Sequence, residues 1–356
     1  MTYYEFILWL LICLPFFGSF LLPFAGIDSE RFRNVLAFLF IGIPLGCAVL
    51  LLEPVYNGTS IDLSIAAFPL FHADKLAVFM AFVSLLVGFV ILLYSFDYIS
   101  HYENRNEYFF LIVIFLGSMM GLVFSRNLLF IYLFWEVTAF ACWRLIGFYR
   151  EKICVWRADK AFLVTVFGAL MMLIGFIMIY AQTGSFDILQ INSGGHYHVP
   201  NLAVMLILFG ILSKSATLPL HTWLPDAGVA PSPVTALLHA AVLVKIGVYV
   251  YARLFVASFS IDDCWHVAIP LIAGISALVS AGAALIETDI KRIIAYSTIS
   301  QIGFIFFGLS AGNELALGGG LLYILMHGIA KGGLFLCAGI VEQNTHEKDI
   351  TKLGGL

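Results

Sequence analysis

Seven charged or ionisable residues sit deep inside apolar runs of the sequence: Glu136, Arg144, Lys214, His239, Lys245, His327 and Lys331. A charge at the centre of a bilayer costs at least about 2.5–3.5 kcal/mol on insertion scales, so membrane proteins keep such residues for pairing or for transport. Glu136 lies in NLLFIYLFWEVTAFACW. Its position about 13 Å into that helix is near the midplane of a hydrocarbon core about 30 Å thick. Direct pairing with Arg144 on the same helix is disfavoured, because eight residues set the two about 80° apart in azimuth and about 12 Å apart along the axis. Lys214 lies in LILFGILSKSATLPLHTW, again within an apolar run. Burial disfavours the charged form of a lysine and a nearby carboxylate restores it. A lysine held this way can take up and release a proton as a carboxylate moves or is neutralised. The competing reading, a lysine that snorkels to a headgroup, fits a mid-helix position less well.

His239 and Lys245 occupy VTALLHAAVLVKIGVYV. Six residues point them about 120° apart on an α-helix. Histidine titrates near neutrality, which suits a relay; the alternative for a lone helical histidine is a hydrogen-bonded core residue. Lys245 is the weaker member of the pair. His327 and Lys331, in YILMHGIAKGGLFLCAG, are spaced i,i+4 and stack on one helix face. Gly328, Gly332 and Gly333 beside them allow close packing or room for water. That pair reads as two stations of a proton path.

Arg144 keeps its charge and cannot relay protons. Its expected partner is an acidic group or headgroup near the end of its helix, with Asp159 the nearest candidate in sequence. His221 can extend a relay or hydrogen-bond within its loop. A metal on the HxH pair His196/His198 is the weakest of these readings, and no metal or cofactor is expected. Haem ligation by paired histidines would leave the buried lysines unexplained. No GxSxG motif or catalytic triad is present.

The elements that must carry these residues follow from composition. Of 356 residues, 62% are hydrophobic and 11% charged, and mean hydropathy is +1.00. A soluble domain carries about 25% charged residues, so the chain reads as all-α and polytopic. About eleven segments reach the roughly 20 apolar residues a transmembrane helix needs. They are 4–25, 33–54, 74–97, 108–125, 127–149, 159–181, 201–220, 233–257, 264–287, 291–311 and 315–342. A break near 219–233, carrying HTWLPDAGVAPS, interrupts the seventh and eighth. Broken backbone at membrane depth is tolerated only where it is buried in protein or lines a wet cavity. The six cysteines form no CxxC pair, and four of them are placed within helices and read as small apolar residues. MTYYEFILWLL has no positive n-region and reads as a retained first helix.

With the N-terminus outside, the inner loops hold Arg31, Arg33, Arg105, Arg150, Lys152, Arg157, Lys160, Lys291, Arg292, Lys348 and Lys352. The outer loops hold Arg126 and Arg253, with Lys75 at a helix edge. That asymmetry sets the orientation and points to a cell inner membrane.

The segments NLLFIYLFWE, SKSATLPLHTWLPDAGVAPSPVTALLHAAVLVKIGVY, ETDIKRIIAYSTISQIGFI, MHGIAKGGLFLCAG and DITKLGGL resemble those of the proton-conducting antiporter-like membrane subunits. That family includes the large proton-pumping subunits of respiratory complex I, Mrp-type Na⁺/H⁺ antiporter subunits and membrane subunits of energy-converting hydrogenases. The resemblance implies an inverted-repeat fold. N-terminal helices would cover 1–107, a first repeat 108–257, and an incomplete second repeat 258–356, either because the chain is a fragment or because other chains supply the rest. It implies that Glu136 pairs with Lys214 of the broken helix, that His239 bridges, and that His327 and Lys331 continue the relay. Arg144 departs from the family, which usually has a small or apolar residue there.

The function expected is a proton-translocating membrane subunit of a multisubunit complex of complex I-like, hydrogenase-like or Mrp-like type. Its partners would be other membrane subunits, the lipid bilayer, H⁺ and in the Mrp case Na⁺, with no nucleic acid. Any redox centre of an oxidoreductase of this kind belongs to other subunits. The rivals are a Na⁺/H⁺ antiporter subunit and a non-conducting membrane anchor for a soluble oxidoreductase or carbon-capture partner.

Overall fold

Side-chain caps start most of the long helices. The structure, a computed structural model, describes residues 2–65 and 68–355. Thr2 and Glu5 form a reciprocal capping box at the start of α1 (Tyr3–Gly18). A short 3₁₀ turn then leads into α2 (Leu22–Asp28). Ser29 caps α3 (Glu30–Tyr56) and Asp74 caps α4 (Lys75–Tyr98). These helices, with α5 (Arg105–Phe124), α6 (Leu128–Ile146), the end of α7 (Lys152–Thr183) and α8 (Ile188–Ile191), make up one compact unit of residues 1–145 and 176–195. The second unit, 146–175 and 196–356, holds the start of α7, α9 (Asn201–Lys214), α10 (Trp223–Asp226), α11 (Ser232–Ala236), α12 (Leu243–Tyr251), α13 (Asp263–Ile286), α14 (Ile290–Ser310) and α15 (Glu314–Thr345). Asp289 caps α14 and Asn313 caps α15.

Among the described residues, ten helical segments are long and apolar enough to cross a membrane. The chain is therefore a multi-pass membrane protein. All eleven expected segments are helical, but the seventh is shorter than expected. The helix α9 has 14 residues and stops at Lys214, five residues before the expected break. Its last turn closes with Ala216 at φ 50°, Thr217 N–H donating to Leu212 O at 3.0 Å and Ala216 N–H to Ser213 O at 3.4 Å. This is a Schellman-type stop, and Pro219 beyond it cannot restore the helix. The eighth segment runs from Ser232 to Val256, largely buried, and contains two π-helical turns, Leu237–Ala241 and Ala252–Val256.

One element lies outside the all-helical expectation. β1 (Ile61–Ile65) pairs antiparallel with β2 (Phe68–Ala73) in the connection between α3 and α4. Ile61 and Leu63 are buried while Asp62 and Ser64 are exposed, the two-residue alternation of a strand. Arg126 ties this hairpin to the start of α6. It donates to Asp62 at 3.0 Å and, through Nε, to Asp187 at 2.9 Å.

Loop-to-loop contacts within each unit respect the expected alternation of sides. Asp226 meets Lys160 and Arg292; Ile290 N–H donates to Lys348 O; His198 meets Asp262; Asn127 bridges to Asp187. All six cysteines are helical, two more than the four expected.

Candidate functional site

In the second unit the chain gathers four of the expected residues from two helical segments. His239 sits within the π turn Leu237–Ala241, and Val242 follows at φ −131°. This irregularity resets the helix between His239 and Lys245, so the 120° separation of a regular α-helix does not apply. Such π turns occur frequently at functional sites. Lys245 is 0% exposed, and its ammonium donates to Ala240 O. The helix α15 packs against α11 and the π turn, bringing His327 within electrostatic reach of Lys245, Lys331 and His239. The His239 ring lies 4.5 Å from that of Phe335 on α15. Lys331 reaches across to α14, donating to Ile294 O at 3.4 Å and to Ser297 Oγ.

His239 and His327 are buried, and among the described residues neither ring has a protein hydrogen-bond partner on either nitrogen. Buried polar atoms are ordinarily satisfied by protein or by ordered water. Imidazoles between two lysines, with open donor and acceptor positions, suit a chain of proton transfers through water.

Lys214, 0% exposed, is the last residue of α9, placing its ammonium near the negative end of a half-helix. Trp223 Nε1 donates to Ser213 O at 2.9 Å, folding the following segment back against that end. The helix α12 packs against α9 through Gly247, where an added Cβ would lie 2.6 Å from Ile211 O. The helix carrying Lys245 is thereby held against the turn carrying Lys214. His221 is half-buried in the 215–222 segment, within electrostatic reach of Lys160. The HxH histidines are engaged separately, His196 Nδ1 2.9 Å from Ser258 O and His198 Nε2 2.8 Å from Asp262 Oδ1.

In the first unit, Glu136 is half-buried on α6, with Tyr132 one turn earlier in electrostatic reach. Arg144, on the same helix, pairs with Glu107 in the first turn of α5, Nε to Oε1 at 3.0 Å. This acidic partner, Glu107, is one that proximity in sequence did not single out.

The family described as NADH:quinone oxidoreductase/Mrp antiporter, TM matches residues 125–356 of the chain. The chain belongs to this family. The NADH-ubiquinone oxidoreductase (complex I), chain 5 N-terminus family matches residues 63–109. Over 303 residues the chain is 36% identical to the Na(+)/H(+) antiporter subunit A1 of Staphylococcus haemolyticus, covering 80% of this chain and 38% of the relative. It is 38% identical over 298 residues to the NADH-quinone oxidoreductase subunit L of Buchnera aphidicola, covering 80% and 47%. The chain thus spans less than half the length of these curated relatives. Its fold matches a chain of the membrane-bound sulfane sulfur reductase, an archaeal respiratory membrane complex. The TM-score is 0.88 at 24% identity, covering 98% of this chain and 74% of that one.

Three basic residues assigned to loops by sequence are buried: Arg33, Lys291 and Arg253. Lys291 lies in the first turn of α14, is 2% exposed, and bonds Glu342 Oε2 at 2.6 Å and Ala230 O at 3.1 Å. A DIKR run looks like an interfacial basic cluster. Its first lysine instead turns inward beneath the 223–231 segment. Arg253 is buried in the second π turn, donating from Nε to Tyr249 OH at 2.9 Å. Glu342 was not singled out. Its signal was available, because eleven residues from Lys331 is three helical turns and returns to the same face.

Proposed function

We propose that this chain is a proton-translocating membrane subunit of a multisubunit complex, moving H⁺ between buried titratable side chains and water. The observation that carries the reading is the gathering of His239, Lys245, His327 and Lys331 in one buried cluster of the second unit. A purely structural role would be better served by apolar residues, since buried charges cost several kcal/mol each unless well paired. Glu136 and Lys214 are further stations of the same relay. Arg144, paired with Glu107, and His221 are accessory.

Further parts of this reading rest on the sequence. The N-terminus faces outside and the basic loops face the cytoplasm of a cell inner membrane. Residues 108–257 form a first repeat and 258–356 part of a second. Other membrane subunits are the partners, in keeping with the sulfane sulfur reductase complex whose chain shares the fold.

The test is proton uptake by inverted vesicles carrying the complex, followed by quenching of an acridine dye. Glu136→Gln and Lys214→Ala should each abolish uptake while the protein still inserts. Wild-type rates in both would sink the relay. A second reading, Na⁺/H⁺ exchange, is favoured by the 36% identity to the Staphylococcus haemolyticus antiporter subunit. Uptake that requires Na⁺ on the opposite side would select it.

A further inference from the structure

We propose that Glu342 and Lys291 form a proton inlet that feeds the Lys331 cluster from the end of the second unit where α14 begins and α15 ends. This inference rests on the proton-translocating reading above.

The charged groups form a graded line from the surface inward. The side chain of Lys348 is 40% exposed, and its Nζ lies 2.8 Å from Glu342 Oε1. Glu342 is 19% exposed, and its other oxygen lies 2.6 Å from Nζ of Lys291, whose side chain is 2% exposed. Lys291 starts α14, and three residues further on Ile294 O accepts from Lys331 Nζ. Residues three apart share a helix face, so Lys291 and Lys331 approach the same strip of α14. On α15 the match repeats: Glu342, Lys331 and His327 fall on one stripe, Glu342 about 16 Å beyond Lys331 along the axis. Two helices therefore present the same order, from surface carboxylate to buried lysine to the cluster.

The remaining groups around the pair are also polar. Ser232 Oγ lies 3.4 Å from Glu342 Oε2, Ala230 O accepts from Lys291, and Asp289 is in electrostatic reach of Lys291. With Lys348, these are charged and polar groups that face the pair among the described residues. The cycle needs only proton transfers. Lys291 gives a proton towards neutral Lys331 and becomes a neutral amine. Glu342 takes a proton from bulk water, transfers it to Lys291 Nζ, and returns to the carboxylate.

The competing role is a static clamp that pins the 230–232 backbone. The double variant Lys291→Met/Glu342→Leu separates the two, because removing both charges together leaves no unpaired buried ion. In inverted vesicles carrying the full-length protein in its native complex, the inlet requires dye-monitored proton uptake to fall by about tenfold or more at normal insertion. Uptake within about twofold of wild type would overturn the inlet. Glu342→Asp, which keeps the carboxylate, should retain part of the rate with a displaced pH profile, whereas Glu342→Gln should be inactive. Equal activity of Asp, Gln and wild type, with superimposable profiles, would also overturn it. Lys331→Ala serves as the reference. If it is inactive while the double variant transports, only the inlet fails; if Lys331→Ala transports normally, the proton-translocating reading itself fails.

Discussion

Gly247→Ala should damage the protein through two atoms that hold the turn after Lys214. An added Cβ would lie 2.1 Å from Ser215 Oγ and 2.6 Å from Ile211 O. The hydroxyl can rotate away, but Ile211 O is backbone and already accepts Ser215 N–H at 3.0 Å. The substitution must therefore move α12 from α9 or unwind the last turn of α9. Overpacking of this kind costs about 1–3 kcal/mol, and the helix propensity gained by Gly→Ala returns about 1 kcal/mol. The net expectation is a loss of up to about 2 kcal/mol, together with slower proton uptake because Lys214 ends the displaced turn. Intrinsic fluorescence during thermal unfolding in detergent is a suitable assay, since Trp223 donates to Ser213 O beside the same turn. Adding Ser215→Ala should restore only part of the loss, because the backbone contact remains. Gly274→Ala on α13, where nothing lies within 4 Å of the new Cβ, is the control and should gain up to about 1 kcal/mol from helix propensity with no change in uptake. If Gly247→Ala is as stable and active as the control, close packing of α12 on α9 does not hold the Lys214 turn in place.

Arg144→Leu should lower the yield of folded protein and leave the pH dependence of transport unchanged. Adding Glu107→Leu should recover yield by removing the stranded carboxylate; a moved pH optimum at normal yield would contradict this. Asp226 gives a pH dependence of stability. Burial pushes its carboxyl up, but hydrogen bonds from Lys160 and Arg292 outweigh that and hold it below the ordinary carboxylate range. Its contribution is then complete above the unfolded value of about 4 and lost as pH falls through the lower folded value. Detergent melts below about pH 4 should therefore show Asp226→Asn losing less stability with acid than wild type. A cysteine placed at Arg157 should resist an impermeant thiol reagent in intact cells and react in inverted vesicles; the reverse pattern would invert the topology.

The apolar segments were legible because a bilayer imposes length and composition on every helix that crosses it. His327 and Lys331 were legible for the same reason, since i,i+4 spacing survives in a regular helix. What escaped depends on departures from regularity or on distant partners. The stop at Lys214 is made by Ala216 in a left-handed conformation and by Trp223 folding back, and no residue in SKSATL announces it. The π turn at His239 follows no composition rule, so the azimuth of Lys245 was misjudged. The Arg144 partner lies 37 residues earlier on another helix, where proximity in sequence gives no guidance. The hairpin hid in IDLSIAAFPLFHA because alternate apolar residues do not raise hydropathy enough to be noticed beside helices.

Lys331 joins α15 to α14 within the buried cluster, so a proton path through that cluster requires it. The direct measurement is the initial rate of proton uptake by inverted vesicles carrying Lys331→Ala, normalised to inserted protein. Insertion at wild-type level with no detectable uptake is the expected result. Uptake at the wild-type rate would contradict a proton path through this cluster.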